Sequence, residues 1–186
     1  LGMLVSLFNL SSSSLLYLVP LFIISLFYAT PLSFKKTSKI QLRSLPFLKI
    51  FLVAGVWSFV TVVFPQLQDS NFNFFSGDVA FQLTSRFLFL FAITLPFDIR
   101  DMHIDAALKI VTFPIALGVK KTVKLAQLSL LLFCVMYLIY LFSHSGPDQL
   151  KAAAYILSGL LSILVINKCK APVSEYYVSF GIEGLM

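Results

Sequence analysis

The chain alternates between long apolar runs and short polar connections, and the runs have the length of membrane-crossing helices. Leu1–Leu10 reads as the tail of one span and is followed by the polar Ser11–Ser14. Leu15–Thr30 comes next and is closed by Pro31. Pro46–Pro65 and Val79–Phe97 are of full length, Val123–Ser143 is mostly Leu, Phe, Val and Tyr, and Ala152–Asn167 is shorter. A last run begins near Ser174. A bilayer core about 30 Å thick takes roughly 20 apolar helical residues, so the pattern predicts five complete spans and two partial ones. All are expected to be helical, because open strands leave backbone groups unsatisfied in lipid. Pro20 is expected to kink its span, which neighbouring helices tolerate. The predicted fold is all-α: a polytopic transmembrane helix bundle forming one domain over residues 1–186. Both ends fall inside apolar runs, so the chain is expected to be part of a longer one. No internal repeat is visible.

Composition supports the same class. The chain is 59% hydrophobic and 12% charged, with a mean hydropathy of +0.93. Soluble domains are about 45–50% apolar and about 25% charged, and must clothe their surface in charge. A water-soluble enzyme and a nucleic-acid binder are therefore excluded. The net charge of +6 is unevenly spread. Lys35, Lys36, Lys39 and Arg43 fall in the second connection, Arg100, Lys109, Lys120 and Lys121 in the fourth, and Lys168 and Lys170 in the sixth. Lys49 and Lys124 sit just inside spans beside these loops. The odd connections hold only Lys151 as a basic residue and carry Asp69, Asp78 and Asp148. By the positive-inside rule the even connections are expected to be cytoplasmic in an integral, multi-pass protein. Cys134 lies in an apolar run and Cys169 in a Lys-flanked loop, so neither a disulfide nor a metal spacing is expected.

One polar constellation is dense: Leu95-Pro96-Phe97-Asp98-Ile99-Arg100-Asp101-Met102-His103-Ile104-Asp105. Three carboxylates stand at i, i+3 and i+7, and a helix continuing past Pro96 would put all three on one face. Such a stripe repels itself unless something cationic sits on it. A hard divalent cation takes oxygen ligands, and Mg²⁺ uses one or two carboxylates plus substrate phosphates. The competing reading is a solvated loop of mixed charge beside the membrane. Against that reading, the surrounding loop charge is basic, and Arg100, Lys109, Lys120 and Lys121 are partners of the kind a diphosphate needs. An EF-hand is excluded, since the alternate-residue acids and central glycine are missing.

Asp98-x-x-Asp101-x-x-x-Asp105, followed by Thr112-x-Pro114 and Leu117-Gly118, resembles the second aspartate-rich motif of the UbiA-type intramembrane prenyltransferases. Tyr28-Ala-Thr-Pro31-Leu32-x-x-Lys35 is similar to a Tyr/Lys stretch of that family, and Pro46-Phe47-Leu48-Lys49 and Trp57-x-x-x-Thr61 resemble the residues next along in its members. The resemblance implies a nine-helix bundle, of which this chain holds about seven, the first and last partial. It implies a central cavity where a prenyl diphosphate is ionised with Mg²⁺ and an aromatic or quinoid acceptor attacks the allylic carbon. It also implies that Asp101 and Asp105 bind Mg²⁺, that Asp98 supports or joins them, and that Tyr28, Lys35, Arg100 and Lys109 serve the substrate. Membrane lipid is the expected surrounding partner. Two departures stand out. The family's first aspartate motif is absent from this chain, so the segment alone is expected to be inactive. The basic residue often preceding the motif's threonine is Val111 here, with Lys109 two positions earlier.

Other polar residues in or near the spans are fewer. Glu183 lies about nine residues into the last run, roughly 13 Å deep, where an acid either faces a cavity or hydrogen-bonds between helices. Arg86 is in the outer half of its span and is expected to snorkel outwards. His103 is off the acidic stripe and reads as a loop histidine. Tyr28, Trp57, Tyr176 and Tyr177 have the composition of an interfacial belt. Gln82, Thr61 and Asn167 carry no readable role. Two further functional readings stand beside the enzyme: a non-catalytic scaffold or lipid-binding protein on the same bundle, and a transporter, which would want more ionisable groups at mid-membrane.

Overall fold

The computed structural model describes residues 19–20, 22–24, 26, 32–35, 38–40, 47–67, 69, 72–143, 149–169, 177–182 and 184. Helices dominate. In chain order they are α1 (Leu48–Gln66), α2 (Gly77–Ala107), the short α3 (Phe113–Leu117), α4 (Val119–Ser143) and α5 (Gln149–Asn167), followed by a π-helical turn, Tyr177–Ile182. Ahead of them lies one departure from an all-helical chain, an antiparallel hairpin of β1 (Leu32–Lys35) and β2 (Ser38–Ile40), with Leu32 opposite Ile40 and Lys35 opposite Ser38. It falls inside the expected second connection, outside the apolar runs.

Among the described residues, three helices are long and apolar enough to cross a membrane: Leu48–Gln66, Gly77–Ala107 and Val119–Phe142. Ala152–Asn167 is a shorter apolar helix. The expected span at Leu1–Leu10 lies outside the described residues. Leu15–Thr30 is described only at 19–20, 22–24 and 26, all helical, and the last run only at 177–182 and 184.

Side-chain contacts fix the register of the bundle. Gln66 at the end of α1 meets Gln82 near the start of α2 at 3.0 Å, while Lys49 at the start of α1 meets Asp98 near the end of α2. Phe81 stacks on Tyr140 and Phe89 packs on Phe133, so α4 runs antiparallel to α2. Gln127 donates to Asn167 at 2.8 Å and Tyr137 stacks on Tyr155, so α5 runs antiparallel to α4. Arg100, Lys109, Lys120, Lys121, Lys124 and Lys168 thus gather at one end with Lys49, as the charge pattern predicts, and Asp69 and Asp78 lie at the other.

α2 is the centre. Over half of its apolar window is buried (56%), against 28% for α1 and for α4. Phe89, Leu90, Phe91, Ala92, Ile93 and Leu95 form the middle of a core completed by Ile50 and Ala54 of α1, Ala126, Leu130 and Phe133 of α4, and Ile166 of α5. The outward residues Leu128, Leu131, Leu132 and Ile139 of α4 and Leu157, Leu160, Leu161 and Leu164 of α5 are exposed and apolar. An apolar exterior of this extent suits lipid and not water. Tyr177 packs against the core, its hydroxyl donating to the Val165 carbonyl at 2.5 Å.

The local sequence explains where α2 begins and ends. Ser76 caps it by accepting from the Val79 amide, and Asp78 stands in the first turn, where the dipole favours an acid. Pro96 sits inside the helix without ending it, as neighbouring helices permit in an apolar bundle. The end is a Schellman arrangement: Lys109 adopts φ 57°, its amide donates to Ala106, and the Ile110 amide reaches back to the Asp105 carbonyl at 2.9 Å. Gly118, at φ 82°, makes the corner between α3 and α4, where a side chain would be strained.

α4 and α5 approach closely at Gly159, where an added Cβ would lie 2.5 Å from the Cys134 sulfur. Gly159→Ala is therefore expected to push the two helices apart and destabilise by about 1–3 kcal/mol, the range for overpacking, as read by denaturant titration in detergent. Burial pushes the Cys169 thiol, just beyond α5, up to about 11. Alkylation needs the thiolate, so iodoacetamide labelling of Cys169 in the folded protein is expected to stay slow at pH 8 and to rise only as the pH nears that value.

Candidate functional site

The acidic constellation lies on the last turns of α2, which continues helical past Pro96 to Ala107, so the three carboxylates do share a face. That face meets the start of α1. Lys49 Nζ lies 3.1 Å from Asp98 Oδ1, 3.8 Å from Asp105 Oδ2 and 4.0 Å from Asp101 Oδ2. The cation that the stripe requires is thus a lysine of this chain. Asp98 and Asp105 are buried, at 2% and 3% exposure, and Asp101 is half-buried.

Lys49 reaches the stripe because of the turn before it. Phe47 adopts φ 63°, a left-handed conformation that is uncommon for a bulky side chain. Its amide donates to the Val111 carbonyl at 3.2 Å, and its ring packs on Phe113 at 4.6 Å. The start of α1 is in this way tied to the loop beyond α2. Strain of this kind costs about 1–3 kcal/mol and persists only where the surroundings enforce it.

The sequence-predicted residues divide. Arg100 joins the site: its Nε donates to Asp101 Oδ1 at 2.8 Å, a second nitrogen donates to Oδ2 at 3.3 Å, and its guanidinium lies over Phe97 at 5.4 Å. Lys109 caps α2 through its backbone and leaves its side chain exposed, with no ion pair to the three acids among the described residues. His103 is exposed, as expected of a residue off the stripe. Lys35 lies in β1, and its side chain is outside the described residues, as are Tyr28 and Glu183.

Two buried oxygens at this end have no hydrogen-bond partner among the described residues: Asp105 Oδ2 and Thr112 Oγ1. Thr112 stands at the cap position of α3 without capping it. Buried polar atoms are nearly always satisfied, so unspent capacity at two positions of the motif stretch stands out. For Mg²⁺, the donor chemistry fits: the carboxylates are hard oxygens, and Lys49 hydrogen-bonds Asp98 while standing at the longer range of an ion pair from Asp105 Oδ2. In the arrangement described, however, no group of three or more acidic, histidine or cysteine side chains among the described residues surrounds a common metal position. Lys49 stands among them instead.

Sequence reasoning gave Lys49 no role in the site, placing it beside a basic loop and in the Pro46–Lys49 stretch of the resemblance. The available signal was depth: a lysine one turn inside one span faces the end of the next when the two are antiparallel. Comparison with family models, with curated proteins and with solved structures finds no match to this chain.

Removing one member of a buried ion pair leaves the other charge uncompensated. Lys49→Met is expected to destabilise by about 3 kcal/mol, the low end of that range because 24% of the side chain is exposed. Adding Asp98→Asn should restore part of the loss. A double-mutant cycle read by unfolding in detergent checks this, and strictly additive effects would show that the pair is uncoupled.

Proposed function

We propose that the intact protein is a multi-pass membrane enzyme of the UbiA type, with its basic end cytoplasmic. It transfers a prenyl group from a prenyl diphosphate to an aromatic or quinoid acceptor within the membrane. The observation that carries this reading is the unspent buried polar capacity of Asp105 and Thr112 on a carboxylate stripe, at the end of a span whose neighbours present apolar faces. A water-soluble diphosphate head and a lipid-like tail meet in such a place.

In this reading Asp101 and Asp105 would hold Mg²⁺, whose chemistry is to neutralise the leaving diphosphate. Asp98 holds Lys49 in position, and Lys49 keeps the stripe from repelling itself until substrate arrives. Arg100, fixed against Asp101, supplies a forked donor suited to phosphate oxygens. The surrounding Phe47, Phe51, Phe91 and Phe113 cluster provides an apolar wall that excludes water from an allylic cation and offers it aromatic faces.

A second reading, a non-catalytic scaffold or lipid-binding protein on the same bundle, is favoured by a specific observation. Lys49 and Arg100 already neutralise most of the stripe, which is what a structural lock between α1 and α2 requires.

The two readings separate in an assay of the intact protein with labelled prenyl diphosphate, a panel of acceptors, and Mg²⁺ present or omitted. Asp101→Asn and Asp105→Asn are each expected to lower turnover by about 10²-fold or more while the protein still inserts. Full activity in both variants would remove these acids from the site. An intact protein that turns over no acceptor, yet loses stability on Lys49→Met, would be a scaffold.

A further inference from the structure

The end of the bundle opposite the carboxylates holds a different chemistry. Between α1, α2 and α5 lies a cavity of about 320 Å³, within the range of small-molecule sites. Its polar lining includes Gln66, Gln82, Ser85 and Arg86, and Phe81 and Tyr155 supply aromatic walls. Among its lining residues there is no acid.

Three features of this lining are unspent. Hydroxyls in these helices habitually return to a carbonyl four residues back, as Ser58, Thr94, Ser129 and Ser162 do at 2.6 to 3.0 Å. Ser85 does not: it is 2% exposed and its hydroxyl has no hydrogen-bond partner among the described residues. Gln82 uses its carbonyl to accept from Gln66, which leaves its amide hydrogens for something else. Arg86 stands roughly 13 Å along α2 from Gly77 and, among the described residues, has neither an ion pair nor a hydrogen bond. A guanidinium at that depth is costly without a partner. The nearest acid before it on α2, Asp78, is engaged by Tyr140.

All three unspent groups are donors, and one is a permanent cation. We propose that this cavity binds a single oxyanion, a carboxylate or a phosphate, carried on an apolar body. Arg86 pairs with the oxyanion, Ser85 and Gln82 donate to its remaining lone pairs, and Phe81 and Tyr155 flank the apolar part. The anion comes either from a free organic acid or from the headgroup of an anionic phospholipid, and both present the same chemistry to Arg86. The site is separate from the carboxylate stripe and stands whether or not the chain is a prenyltransferase.

The test uses the intact protein in phosphatidylcholine nanodiscs, with benzoate titrated by calorimetry, and in parallel native mass spectrometry with phosphatidylglycerol offered against phosphatidylcholine. Wild type is expected to bind benzoate, or to retain phosphatidylglycerol preferentially; the first result identifies a free acid as the source and the second a lipid. Arg86→Gln should weaken the responding probe at least ten-fold, and Arg86→Lys should keep part of it. Ser85→Ala, which removes one hydroxyl from a packed helix and should leave the fold intact, is expected to weaken it several-fold. Binding of neither probe by wild type overturns the proposal. So does unchanged binding in Ser85→Ala together with Arg86→Gln, or in Ser85→Ala alone if the arginine variant does not fold.

Discussion

Three carboxylates share the end of α2 because the ammonium of Lys49 lies within 4.0 Å of each of them. Without that group the two buried acids, two turns apart on one helix face, would share a low-dielectric junction with no counter-charge, where like charges repel strongly and solvation is lost. The surrounding architecture serves this contact. Phe47 takes a strained backbone conformation that directs the first turn of α1 toward α2, and its amide anchors on Val111. The Schellman end of α2 fixes the backbone of Asp105 through the Ile110 amide. Arg100 secures the most exposed of the three acids, Asp101, from the same helix. A site so over-determined in its backbone is one whose side chains hold their places before any ligand arrives, and that is the state an electrostatic site requires.

The apolar packing supports that junction from the other direction. α2 is 31 residues long, about 46 Å, longer than a bilayer core is thick, and its last turns extend past the stretch that packs on three helices. Phe89 and Phe91 brace it against α4, α1 and α3. The acids therefore stand on a rigid extension of the core. The polar cross-links at both ends, Gln66 to Gln82 and Gln127 to Asn167, add register where apolar side chains alone would let helices slide.

Hydropathy made the helices legible, because runs such as Val123–Ser143 have one physical reading in any solvent. The carboxylate face was legible too, since the i, i+3, i+7 spacing depends only on the helix continuing past Pro96. What the sequence hid was mostly long-range. Lys49 and Asp98 are 49 positions apart, and their meeting depends on the antiparallel register of two spans, which no local pattern states. Gln82 and Asn167 showed no role because each bonds a residue on another helix. Lys109 carries a second part that its charge did not announce: its backbone ends a helix in a conformation usually left to glycine. The hairpin at Leu32–Ile40 lies in a stretch of Lys and Ser without strong alternation, so nothing there marked a strand pair.

The charges at the α1–α2 junction oppose the helices that carry them. Lys49 sits in the first turn of α1, where the helix dipole disfavours a cation, and Asp101 and Asp105 sit in the last turns of α2, where it disfavours an anion. Each helix alone would be better off without them. Packed antiparallel, the positive end of α1 lies beside the carboxylates and the negative end of α2 lies beside the lysine. Both dipole terms then reinforce the ion pairs they would otherwise oppose. A parallel arrangement of α1 and α2 would leave Lys49 unpaired and the stripe without a counter-charge. The same residues that make the site electrostatically unusual therefore also specify the orientation of the two helices that build it.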